Sequence, residues 1–168
     1  MPEKIKQELF PEALPVKETF DLEKEVIKEK INTLSDEQEP GSFYRGVRAE
    51  DALRAIFGQL RLDANPRNDS LGTRDNASIN LSEAVYFSRT SKTKTGKKFF
   101  CAIGFDPLST TKVEDSYLGK ENFVRVTGLV IAKEIIVRFA GKKLGSPAKE
   151  NRHFSPREFC QWYQDNVG

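Results

Sequence analysis

Arg45 lies in Phe43-Tyr44-Arg45-Gly46-Val47, an arginine inside an otherwise apolar, strand-like run. Removing a guanidinium from water is costly unless it meets an anion, and its planar fork suits carboxylate or phosphate oxygens. A second run, Ala84-Val85-Tyr86-Phe87-Ser88-Arg89, sets two aromatics before a hydroxyl and a basic group. Glu134 stands in Leu129-Val130-Ile131-Ala132-Lys133-Glu134-Ile135-Ile136-Val137, where a carboxylate is expensive unless it is paired or used in chemistry. Other site types fail on residue supply. The single histidine, His153, cannot build a His-rich metal centre, and beside a helix start it is expected to be solvated or capping. No Cys-x-x-Cys pair exists for zinc. Thr95-Gly96-Lys97-Lys98 lacks the upstream glycine of a phosphate loop, because position 91 is Ser. No serine carries the glycines of a nucleophile elbow.

These residues need elements to hold them. Phe43–Val47 reads as a short strand and 49–60 as a helix, with Ala52, Leu53, Ile56, Phe57 and Leu60 on one face. Residues 61–80 form a long polar stretch, expected to be a loop beside the site or a mobile surface loop. Residues 85–88 read as a short apolar strand, 92–98 as a basic tip, 99–106 as a strand closed by Pro107, and 123–127 and 129–139 as β-branched strands. Ser155-Pro156-Arg157-Glu158 is a capping box with proline at the first helical position, and Phe154 and Phe159 stand as a hydrophobic staple. A terminal helix of about 11 residues follows. Strands dominate after residue 80, helices sit at both ends, and there is no βαβ alternation; that pattern is α+β.

Composition bounds the rest. With 168 residues, 38% hydrophobic and 31% charged, the chain suits one domain, too apolar for wholesale disorder and too polar for a membrane protein. No uninterrupted apolar run reaches a membrane span and the start lacks the apolar core of a secretory signal, so a cytoplasmic, non-membrane protein is expected. Cys101 and Cys160 are expected to be reduced and buried. The net charge of +2 conceals a division: residues 1–40 carry 6 Lys/Arg against 11 Asp/Glu, leaving 21 against 14 for 41–168. An acidic extension, 1–40, therefore precedes a basic body, 41–168. Leu22, Val26, Ile27, Ile31 and Leu34 form one apolar stripe on a helix expected over 19–34, which must dock on the body. A basic body suits a polyanionic ligand.

In their order, the Arg of a Tyr-Arg-Gly strand, a helix, a Tyr-Phe-Ser segment and a Glu in an apolar strand resemble the ADP-ribosyltransferase superfamily. The resemblance spans roughly residues 41–140. It implies a split, mixed or antiparallel sheet around a cleft that takes NAD as co-substrate, without a metal. It also implies that Arg45 holds an NAD phosphate or the nicotinamide-side ribose and that Tyr86 stacks on nicotinamide. Tyr44, Gly46, Phe87 and Ser88 would line the same site, and Glu134 would be the catalytic carboxylate. The implied activity is mono-ADP-ribosyl transfer to a protein or nucleic-acid acceptor, in a toxin, an effector or a housekeeping enzyme. Ala132 stands where the arginine-modifying branch carries a second acid, so an arginine acceptor is not implied. Arg45 stands where the poly(ADP-ribose) polymerase branch has His, and Ser88-Arg89-Thr90-Ser91 only loosely matches a Ser-Thr-Ser signature. Two alternatives remain at this point. One is an NAD glycohydrolase of the same fold; the other is a non-catalytic α+β module binding through Lys92, Lys94, Lys97 and Lys98. Oligomeric state is open.

Overall fold

The computed structural model describes residues 24–63, 75–86, 88–117, 119–141 and 150–168. Within them the chain runs α1 (Lys24–Lys30), a 3₁₀ turn (Ile31–Thr33), β1 (Phe43–Val47), α2 (Ala49–Ile56), β2 (Leu60–Leu62), β3 (Ala77–Ser78) and α3 (Leu81–Tyr86). It continues through β4 (Thr90–Lys92), β5 (Lys98–Phe105), β6 (Lys112–Asp115), β7 (Phe123–Val130), β8 (Ala132–Phe139), β9 (Arg152–Phe154) and α4 (Pro156–Asn166). The sheet order is β2-β7-β3-β1-β5-β8-β9, with β4 on β5 and β6 on β7. Every pairing between described strands is antiparallel. The fold is α+β, with an open antiparallel sheet and a few helices.

Alternation along the strands divides the sheet into two faces. Phe43 and Val47 of β1, Cys101, Ile103 and Phe105 of β5, and Ile135 and Val137 of β8 pack under α1, α2 and α4. There Phe99, Phe154, Phe159 and Trp162 meet at ring-centroid distances of 5.2–6.2 Å. The other face is thinner: Ala102 and Ile136 pack against Ala84 and Val85 of α3, with Tyr44 and Phe100 beside them. α4 begins where the capping box places it, with Ser155 Oγ accepting from Glu158 N and Glu158 Oε1 accepting from Ser155 N. Cys101 and Cys160 are free and buried, and burial pushes both thiols up, Cys160 to about 12.

The acidic extension joins the main core through Ile27 and Leu34. Arg157 holds its end: Nε donates to Ile31 O, Nη2 to Asn32 O and Leu34 O, and Nη1 to Asp36. The expected helix over 19–34 is α1 plus a 3₁₀ turn within the described part; residues 19–23 lie outside it.

Three expectations need correction. The helix from Ala49 ends at Ile56, and Leu60 already belongs to β2. Residues 85–86 are not strand but the end of α3, and Ser88 lies in coil; Phe87 is outside the described residues. Within the stretch 61–80, Arg61, Leu62 and Ala77–Ser78 are strand residues, while 64–74 lie outside the description.

Candidate functional site

β1 pairs along its whole length with β5, from Phe43↔Phe105 to Val47↔Cys101. On its other side it pairs with β3 at one position only, Tyr44↔Ser78. Beyond that point Asn76 takes the place of a strand. Its backbone N–H donates to Val124 O, its side chain donates to Val126 O, and its side-chain oxygen accepts from Val126 N. Asn76 thereby satisfies β7 and leaves the edge of β1 without a ladder. A cavity of about 530 Å³ opens there, with walls that include Tyr44, Arg45, Arg48, Asp51, Glu83 and Phe123. That size suits a small-molecule ligand.

Arg45 projects from β1 on the same face as Phe43 and Val47, where an apolar residue would be ordinary. Its Nη1 donates to Asn76 O at 2.6 Å. Among the described residues it has no other hydrogen bond and no ion pair. Burial, with Arg89 close by, holds its guanidinium below the ordinary arginine value, partly offset by Asp51. A guanidinium in a cavity wall, with one carbonyl acceptor among the described residues, could take an anion.

The acids of the wall are already engaged. Asp51 pairs with Arg54 at 3.2 Å, Asp75 accepts from Ser116 Oγ and Tyr117 N, and Glu83 accepts from Asn122 Nδ2. Arg48 and Arg89, also on the wall, make no ion pair among the described residues. The wall therefore carries four cations, Arg45, Arg48, Arg89 and Lys120, against three acids, Asp51, Asp75 and Glu83, and its formal charges nearly balance.

Gly46 lies in the same wall and fixes α3 against β1. A methyl at this position would collide with the Ala84 carbonyl oxygen and with Ser88. Ser88 Oγ donates to Val85 O at 2.7 Å and closes the end of α3. Tyr86 stands outside this packing with 79% of its surface exposed, and it is not part of the cavity wall.

Glu134 is 4% exposed and lies two strands from Tyr44, on the same face, with Gly104 between them in register. A Cβ on Gly104 would stand 2.9 Å from the Tyr44 ring and 3.0 Å from Glu134 Cγ. Glycine is what lets those two side chains close over β5. Glu134 Oε1 is 2.9 Å from His153 Nδ1 on β9, whose side chain is 44% exposed. A register shift between Gly104 and Phe105 sets Lys133 outside the ladder, where its ammonium reaches Asp106 at 2.7 Å. Burial first, then the negative charges of Glu134 and Asp106, raise Tyr44 above the ordinary tyrosine value.

The structure thus brings Tyr44, Arg45 and Gly46 to one cavity, with Ser88 packed behind Gly46. Glu134 lies behind Tyr44, outside the wall, and Tyr86 lies on the surface. Sequence reasoning did not single out Asp51, Asn76 or Phe123, and it gave His153 no role at a carboxylate. Lys94 of the basic tip is spent elsewhere, donating from its ammonium to Gln164 O and from its backbone to Asn166 O at the end of α4. Among the described residues no group of three or more His, Cys, Asp or Glu could hold a metal, and no helix is long and apolar enough to cross a membrane. No family model, curated protein or solved structure matches the chain.

Proposed function

We propose that the cavity beside β1 is the NAD cleft of an ADP-ribosyltransferase-like domain, in which Arg45 anchors a phosphate of the dinucleotide. One observation carries this reading: a part-buried guanidinium that, among the described residues, hydrogen-bonds one backbone carbonyl, in the wall of a ligand-sized cavity. Phosphate oxygens would supply acceptors beyond that carbonyl. Tyr44 and Phe123 offer aromatic surface to a flat ring at small entropic cost. Cleavage of the nicotinamide glycosidic bond develops positive charge on the ribose, and a fixed carboxylate at the 2′-hydroxyl stabilises it where it forms. Glu134 would be that carboxylate once the Tyr44 ring turns aside; nicotinamide would leave C1′ of the ribose, a nucleophile of a macromolecular acceptor would bond to C1′, and its proton would pass to solvent.

A second reading, ligand binding without turnover, is favoured by the pairing of Glu134 with His153 and its place behind Tyr44. Isothermal titration with NAD, followed by assay of nicotinamide release, separates the two. Transfer requires saturable binding, much weaker binding in Arg45→Met, and release of nicotinamide that Glu134→Gln abolishes. Binding with no release supports the second reading, and release as free ADP-ribose with no acceptor labelled makes the chain a glycohydrolase. Absence of NAD binding by the unaltered protein refutes the dinucleotide site.

A further inference from the structure

Four neighbouring strands, β4, β5, β8 and β9, carry five Lys or Arg and a single acid, Glu134, which His153 already meets at 2.9 Å. Two of the five cations are engaged. The Lys133 ammonium reaches Asp106 at 2.7 Å, and the Arg152 guanidinium stands 5.0 Å over the Phe154 ring. The other three, Lys92, Lys98 and Arg138, form no ion pair among the described residues. Lysine on an edge strand guards against strand addition. Lys98 and Arg138, however, stand on β5 and β8, which are inner strands of the sheet.

Register gathers the three on one face. Lys92 lies opposite Lys98, a like-charge pairing that costs stability when nothing neutralises it, and Phe100 lies opposite Arg138. Alternation turns Phe99, Cys101 and Ile103 of β5 into the main core, so Lys98, Phe100 and Ala102 share the other face. Ile136 pairs with Ala102 and with His153, which sets His153 on that face too, diagonal to Arg138. Arg138 Nε donates to Asn151 at 2.7 Å. Ala84 and Val85 of α3 cover Ala102 and Ile136. Further along, Lys92, Lys98 and His153 are exposed, and Phe100 and Arg138 are half-buried. None of these residues lines the cavity beside β1.

We propose that this sheet face binds a single-stranded nucleic acid, its phosphates meeting Lys92, Lys98 and Arg138 and a base stacking on Phe100. Strands about 4.8 Å apart, with same-face residues about 6.7 Å apart along each, keep the three cations within two strand spacings of the ring. Cations around an aromatic ring suit a flexible strand of alternating bases and phosphates, and unstacked bases also lie on guanidinium planes. A duplex hides its base faces, and the middle of a sheet cannot enter its grooves. An acidic peptide could use the cations but has little need of the ring. Binding here does not depend on what occupies the cavity, so it stands apart from the NAD reading.

Fluorescence anisotropy with labelled dT and rU oligonucleotides of about 12 nucleotides, within the usual footprint of such sites, tests the proposal. Affinity is expected to fall with salt at a log–log slope near −2, about −0.7 for each of three phosphate contacts. Lys92→Gln with Lys98→Gln should flatten that slope by about 1.4. Lys28→Gln with Lys112→Gln, which removes the same charge from exposed positions on other elements, should leave it unchanged. Phe100→Leu should weaken binding by about 5- to 150-fold with the slope unchanged, whereas Phe100→Tyr, which keeps a ring, preserves it. Phe100 is half-buried, so melting temperatures accompany each variant; the paired lysine changes, confined to exposed side chains, decide the matter if Phe100→Leu does not fold. Arg45→Met should weaken NAD binding and leave the oligonucleotides bound, which keeps a fault in one reading apart from a fault in the other. The proposal is overturned by lack of oligonucleotide binding at low salt, by equal affinity for a duplex of the same length, or by equal losses in the two paired lysine variants. Tighter binding of a poly-glutamate peptide, with Phe100→Leu silent, would overturn it in favour of an acidic protein partner.

Discussion

Arg45, part-buried, and Glu134, buried, are two charges in one sheet, on strands separated only by β5, and the protein treats them in opposite ways. Glu134 has a charge-compatible side chain at 2.9 Å, and that side chain reaches solvent. Among the described residues Arg45 has a single carbonyl at 2.6 Å, and beside it a cavity. A fold can tolerate an under-partnered, part-buried charge only if the surroundings hold it in place. Here β5 on one side and Asn76 on the other do so. The carboxylate is arranged for stability, and the guanidinium has the room that the proposed anion would need.

The sharpest way to break this contrast is Arg45→Met. Losing a charge-assisted anchor should weaken NAD binding by about 30- to 100-fold, while replacing an under-partnered charge with an apolar chain of similar length should leave stability unchanged or raise it. Titration and thermal denaturation of one sample read both effects. A clear fall in melting temperature with NAD affinity intact would show that Arg45 is structural.

The reverse asymmetry is expected at the other charge. His153→Ala leaves the Glu134 carboxylate buried without its partner, at a cost of about 1–3 kcal/mol. Glu134→Leu removes the buried acceptor and leaves a half-exposed imidazole that water can satisfy, at a cost of less than about 1 kcal/mol. Urea denaturation of the two single variants and the double variant measures this directly. The double variant should be more stable than His153→Ala alone. If Glu134→Leu is the worse of the single changes, the histidine is not what sustains the carboxylate.

A third contrast lies between the body and its acidic extension, to which the Arg157 side chain makes four contacts. Arg157→Met removes the bonds to Ile31, Asn32, Leu34 and Asp36, with an expected loss of about 1–2 kcal/mol. Hydrogen exchange should quicken across 24–39 and stay slow in β5 and β8. Uniform acceleration over the sheet would mean that the extension and the body unfold as one unit.

What was legible in the sequence follows the same physics. The capping box at Ser155, the β1 strand and the apolar strands β5 and β8 are local patterns, and the chain obeys them. Arg45 and Glu134 stood out because a charge in an apolar run is conspicuous wherever it folds. Tyr86 was misread because Val85, Tyr86 and Phe87 favour strands. Yet Asn80 Oδ1 accepts from Ser82 N, and Glu83 stands three residues after Asn80, so a helix-start pattern was present and was outweighed by the β-formers. The long-range facts had no local signal. Asn76 substituting for a strand beside Val126, and His153 meeting Glu134 across β8 and β9, depend on register.

The smallest expected effect concerns acid, and it separates the clamp around the extension from Arg45 and Glu134. Asp106 accepts from Lys133 and from Ser42, and these bonds hold its carboxyl below the usual range. Glu158 is held low by the backbone N–H of Ser155, with further help from its hydroxyl and from Gln38. For both groups the folded value lies below the unfolded one. Their contribution is therefore complete above about pH 4–5 and is lost as pH falls through the folded values. Both groups are well solvated, so the loss is modest. Melting temperatures followed from about pH 5 to about pH 3 should decline, and Asp106→Asn should flatten part of that decline without altering NAD affinity at neutral pH. An unchanged acid slope in Asp106→Asn would transfer the effect to carboxylates elsewhere and remove Asp106 from the set that ties Ser42 and Lys133 to the sheet.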